Sequence, residues 1–70
     1  MAIRIKLAEL MGKHKYNQLK VATETGIRPA TVSLYYHETI KRIEIEHLNK
    51  LCKLFNCQVG DLLEYVDENQ

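Results

Sequence analysis

The strongest constraint on this fold is the stretch from Asn17 to Tyr35, which reads as two short helices hinged at Gly26. Asn17 is placed to cap the first helix by accepting a backbone N–H bond. Leu19, Val21 and Ala22 supply its apolar positions, and Thr25-Gly26 stops it. The second helix starts at Arg28-Pro29, because proline in the first helical position forfeits no hydrogen bond and has φ preset for the helix. Ile27, Val32 and Tyr35 form its buried stripe. A turn this short holds the second helix at a steep angle to the first, so its outer face is expected to enter the major groove of DNA.

Around this unit the spacing predicts helices over 6–14, 18–24, 29–37, 44–55 and 59–63. In the fourth, Ile45, Leu48, Leu51, Cys52 and Phe55 recur at three and four residues and predict a core-facing stripe. Glu44 and Glu46 at its start and Lys50 and Lys53 nearer its end suit the helix dipole. Ile3-Arg4-Ile5-Lys6 alternates apolar with basic residues as a half-buried strand does, and 62–66 can turn extended. The two ends are therefore expected to pair as a small antiparallel ribbon packed on the helices, or to offer those edges to a dimer. The expected fold is all-α, five helices in one domain spanning 1–70, with this ribbon as its only β structure.

Seventy residues bury a small core and leave no room for an enzyme cleft with a lid. The apolar runs fall far short of the roughly 20 residues of a membrane span, and the N-terminus carries no signal-peptide pattern, so the expectation is a soluble cytoplasmic protein. Cys52 and Cys57 lie five apart; on an unbroken helix they stand about 140° from one another, which favours reduced core thiols over a disulfide or a shared metal. His47 with these cysteines lacks the paired spacing of a structural zinc site. His14, His37 and His47 are linked by no nucleophile, base and orienter spacing, so neither catalysis nor a cofactor is expected. The formal net charge is only +1, but it is unevenly spread. Residues 1–43 hold eight Lys or Arg against three Glu, and residues 44–70 hold two against six acids. One part of the surface is thus set to attract phosphate while the other is repelled by it.

At the Asn17-Gln18 start, Ala22, Gly26-Ile27, Thr31-Val32-Ser33 and Lys41-Arg42 the chain resembles the lambda-repressor/Cro-like, or XRE-type, helix-turn-helix regulators. The run from Leu48 through Tyr65 is similar to the ending of small members of that family. The resemblance covers most of the chain, with the helix-turn-helix itself at 17–37. It implies a compact DNA-binding domain that acts by occupying an operator as a homodimer, without a cofactor.

The resemblance also sorts the contacts. Gln18, with Asn17 and Lys20, is expected at phosphate beside the first helix of the motif, and Lys41 and Arg42 in the loop after the second. Lys13 and Lys15 would widen this patch. Arg28, Ala30, Thr31, Ser33 and Leu34 are the expected base-reading positions: Arg28 for guanine, Thr31 and Ser33 for bases or phosphates, Ala30 for a thymine methyl. Leu34, Tyr36 and His37 depart from the polar face usual in the family, and Glu38 stands where the family often has Gly. These departures define an alternative in which the fold serves as an antitoxin-like or co-regulatory module that binds a protein partner. Salt separates the two readings, because electrostatic DNA binding weakens steeply as salt rises and an apolar protein contact does not.

Overall fold

A computed structural model describes residues 2–67. Strand β1 (Ala2–Ile5) leads into α1 (Leu7–His14), α2 (Gln18–Thr25), α3 (Pro29–Tyr36), α4 (Ile45–Phe55) and α5 (Val59–Leu62), and β2 (Leu63–Val66) returns to β1. The expected architecture of five helices and a terminal ribbon is thus the one observed. Element ends move by a residue: Glu44 and His37 lie just outside α4 and α3 as cap residues, and Thr25 joins α2.

What closes each helix is written locally. Three end on a non-glycine residue in left-handed backbone: Lys15 (φ 61°), Glu38 (φ 59°) and Asn56 (φ 51°). After α1, Tyr16 N–H donates to the Met11 carbonyl at 2.8 Å and Lys15 N–H to Gly12 at 3.3 Å. After α3, Thr39 donates to Leu34 at 2.9 Å and Glu38 to Tyr35 at 3.2 Å; after α4, Cys57 donates to Cys52 at 3.0 Å and Asn56 to Lys53 at 3.3 Å. All three are Schellman caps, which satisfy the last carbonyls and fold the chain back across the helix end. Only α2 uses glycine: Gly26 (φ 77°) donates to the Ala22 carbonyl at 2.8 Å.

The ribbon is antiparallel, with Ile3 opposite Tyr65 and Ile5 opposite Leu63, and Lys6 N–H closes it on the Leu62 carbonyl at 2.7 Å. Its inner end is sealed by Ile5, while Ile3 and Tyr65 on the same face remain exposed. The core comprises Ile5, Leu7, Met11, Val21, Ala22, Ile27, Val32, Tyr35, Leu51, Phe55 and Leu62. Each fully buried Leu or Val contributes about 1.5–3 kcal/mol, and a domain this small has few of them.

Two apolar residues expected inside lie outside. Leu19 is 67% exposed, because two 100° steps put it on the opposite side of α2 from Val21. Ile45 is 76% exposed at the first position of α4, whereas Leu51 and Phe55 further along the helix are buried. The remaining stripe residues, Leu48 and Cys52, are partly buried against the core.

Candidate nucleic-acid interface

The motif is set by hydrogen bonds at both ends of α2. Asn17 stands in extended backbone and its Oδ1 accepts from Lys20 N–H at 2.7 Å, the expected N-cap. At the other end the buried Thr25 hydroxyl donates to the Val21 carbonyl at 2.7 Å and accepts from Ile27 N–H at 3.2 Å. This single hydroxyl ties the helix end to the first residue of the turn, and Gly26 supplies the left-handed step between them. Arg28 then precedes Pro29, which opens α3 as expected.

On α3, Val32 and Tyr35 are buried, so the opposite face presents Ala30, Leu34 and His37, with Arg28 and Pro29 exposed at the start. Ser33 and Thr31 are half-buried at the flanks of this face. Thr31 and Arg28 share a shallow cleft with Gly26, Ile27, Glu44, His47 and Lys50, which places them on the side of α3 nearest α4. Tyr36 lies on the other side, half-buried in a cleft with Ala8, Met11, Gly12, Tyr16, Asn17 and Gln18. Leu34 is therefore exposed (44%), and Tyr36 is largely tucked against α1 and the start of α2.

Three of the ten Lys and Arg residues have acidic partners, and Lys6, Lys13, Lys15 and Lys53, like Arg28, Lys41 and Arg42, form no ion pair among the described residues. Arg4 Nε donates to Glu38 Oε1 at 2.8 Å, Lys20 Nζ lies 4.0 Å from Glu24 and 5.6 Å from the Tyr16 ring centre, and Lys50 pairs with Glu46 at 3.2 Å. Arg28, Lys41 and Arg42 are exposed and form no ion pair among the described residues. Of the expected phosphate contacts, Lys41 and Arg42 are thus fully available. Lys20 is partly engaged within the protein, and Asn17 has its carbonyl oxygen committed to the cap with its amide N–H donors left over.

Two supports of α3 escape any reading of spacing. The Tyr35 hydroxyl and His47 Nδ1 are 3.0 Å apart, and His47 Nε2 lies 2.9 Å from Glu44 Oε2. A neutral imidazole satisfies both contacts, accepting from the phenol and donating to the carboxylate. Burial raises the Tyr35 pKa, with the Glu44 backbone hydrogen bond opposing the shift and the Glu44 charge adding to it. Beyond the far end of α3, Glu38 accepts from Arg4 Nε and, at 2.9 Å, from Ile5 N–H, and these bonds hold its carboxyl below the usual range. Glu38 thereby clamps the ribbon to the end of α3. The other histidines have aromatic neighbours: the His14 ring lies tilted against Phe55 at 5.1 Å and His37 meets Tyr36 edge-on at 5.0 Å.

Comparison with known proteins places this geometry. Residues 6–68 match the Cro/C1-type HTH DNA-binding domain. Over 65 residues, 93% of this chain and 77% of the relative, the sequence is 34% identical to an uncharacterised HTH-type transcriptional regulator, YozG, of Bacillus subtilis (strain 168).

Proposed function

Because this chain belongs to the family of Cro/C1-type helix-turn-helix DNA-binding domains, we propose that it is a sequence-specific transcriptional regulator that acts by occupying operator DNA as a homodimer. Residues 1–70 act as one domain in this reading, and no catalytic step is involved. The observation that carries it is that Arg28, at the start of α3, and Lys41 and Arg42, in the segment that follows α3, are exposed and form no ion pair among the described residues. Arg28 offers a guanidinium to guanine at the start of α3, Thr31 and Ser33 offer hydroxyls, and Ala30 and Leu34 suit thymine methyls. Lys41, Arg42 and the N-terminus of α2 with Gln18 position the protein on phosphates. A dimer follows from size, since one module buries too little surface for tight binding and a two-fold operator mirrors a two-fold protein. Among the described residues no helix is long and apolar enough to cross a membrane, and cytoplasmic action fits a chain that works on DNA.

The test is the combined substitution of Arg28, Lys41 and Arg42 by Ala. All three side chains are exposed, so the fold is expected to persist by circular dichroism while DNA binding is abolished in fluorescence anisotropy. Unchanged affinity would remove this face from the account. A second reading draws on the exposure of Leu34 and Leu19: these surfaces would bind a protein, as an antitoxin-like or co-regulatory subunit. Binding to such a partner is expected to persist at salt concentrations that dissociate DNA.

A further inference from the structure

The two cysteines occupy the two positions of the α4 cap whose side chains that motif brings together. In a Schellman cap the residue three before the helix's last and the residue two beyond it are joined by the outer hydrogen bond, and their side chains commonly touch. Here those residues are Cys52 and Cys57, and the bond is Cys57 N–H to the Cys52 carbonyl at 3.0 Å. The 140° separation expected on a continuous helix does not apply, because Asn56 in left-handed backbone (φ 51°, ψ 52°) turns the chain back. Adding that 3.0 Å to the standard Cα–O and N–Cα distances of about 2.4 and 1.5 Å caps the Cα–Cα separation near 6.9 Å, and any bend along the path shortens it. Disulfides span about 4.4–6.8 Å. The same cap after α1 behaves alike: its equivalent residues, Met11 and Tyr16, line one cleft together.

We propose that Cys52 and Cys57 form a redox-active dithiol that closes to an intrachain disulfide in the folded protein, making the α4–α5 junction a site of reversible oxidation. Both side chains are half-buried rather than sealed, so small oxidants reach them. With hydrogen peroxide as oxidant, one thiolate attacks an oxygen of the O–O bond to give a sulfenic acid and hydroxide, which takes up the proton that the thiol released. The second thiolate then displaces hydroxide from that sulfur, forming the S–S bond, so two thiols and one peroxide yield one disulfide and two waters. Cys57 is held above the ordinary thiol range by burial and by the charge and hydrogen bond of Cys52, with Asp61 adding to the shift. A thiol kept protonated reacts slowly, so the pair is governed by equilibrium with a disulfide buffer rather than by a fast peroxide response. Closure would staple the end of α4 to the segment that enters α5.

The full-length protein is equilibrated with mixtures of reduced and oxidised glutathione, quenched with iodoacetamide and weighed intact. The expected product is a monomer lighter than the dithiol by about 2 Da, without alkylation and recovered by dithiothreitol. The fraction closed should correspond to an effective thiol concentration about tenfold higher in native buffer than in denaturing urea, because the cap preorganises the pair. Replacing Asn56 by Pro, which breaks the cap, should abolish that difference, with circular dichroism reporting whether the helices remain. Equal closure in native buffer and urea, mixed glutathione disulfides or disulfide-linked dimers as the main native product would each overturn the proposal. Cys52→Ser and Cys57→Ser should each remove the 2 Da product.

Discussion

Tyr35→Phe tests the hydroxyl contacts that tie α3 to the start of α4. The substitution keeps the ring of a residue that is 1% exposed and deletes only the hydroxyl, which meets His47 Nδ1 at 3.0 Å and also hydrogen-bonds the Glu44 backbone. A net hydrogen bond is worth about 0.5–1.5 kcal/mol, and a buried partner left unsatisfied costs about 1–3 kcal/mol. The His47 side chain is 20% exposed, so water recovers part of the second amount, and the total comes to about 1–2 kcal/mol. For a domain of this size that lowers Tm by roughly 5–15 °C. The assay is thermal unfolding followed by circular dichroism at neutral pH, for Tyr35→Phe, His47→Ala and the double variant. The cycle should return a coupling of about 1 kcal/mol. A second signature lies in alkali. The Tyr35 pKa is raised in the folded state, so the stability this group contributes is full below the unfolded value and is lost as pH rises through the folded one. The wild type should therefore destabilise above about pH 10 more steeply than Tyr35→Phe. A variant with unchanged Tm, or purely additive single changes, would refute the role given to this contact.

The left-handed residues give a prediction of opposite sign. Lys15→Gly removes the steric cost of φ 61° at the α1 cap and should raise stability by about 0.5–1 kcal/mol in urea titrations. Glu38→Gln tests the clamp between ribbon and recognition helix. The Glu38 pKa is depressed mainly by its hydrogen bond to Arg4, so its contribution is present above the unfolded carboxylate value and disappears as pH falls through the folded one. Wild type should be the more stable at neutrality, and the two stability curves should converge in acid. Within α4, Leu51→Ala (1% exposed) should cost about 2–5 kcal/mol, whereas Ile45→Ala (76% exposed) should stay within about 0.5 kcal/mol.

The helix-turn-helix was legible because its determinants are local. The Asn17 cap, Gly26 in the turn, Pro29 at the helix start and the Val32–Tyr35 spacing each act within a few residues, and the ribbon followed from alternation over 3–6 and the extended reading of 62–66. What was not legible depends on partners distant along the chain. Tyr35 and His47 are 12 residues apart and Arg4 and Glu38 are 34 apart, and no periodicity marks either pair. Glu38 in place of the family's usual glycine did carry a signal, since both meet a demand for left-handed backbone, and the lost freedom is offset by the bonds that its carboxylate makes. Leu19 and Ile45 show the limit of apolar content: Leu19 points away from the stripe, and Ile45, the first residue of α4, is exposed although His47 and Leu48 in the same turn are half-buried. The cysteines are free thiols, as expected, but the helical angle between them does not describe their placement, because α4 ends between them at Asn56.

The central claim, that the surface around α3 reads operator DNA, is met most directly by fluorescence anisotropy with a labelled duplex from upstream of the protein's own gene and a scrambled duplex, each titrated across salt. The account predicts tighter binding to the first, with log K falling against log salt at a slope near −3.6 for about four phosphate contacts. Equal affinity for the two duplexes at every salt concentration, or binding indifferent to salt, would contradict it.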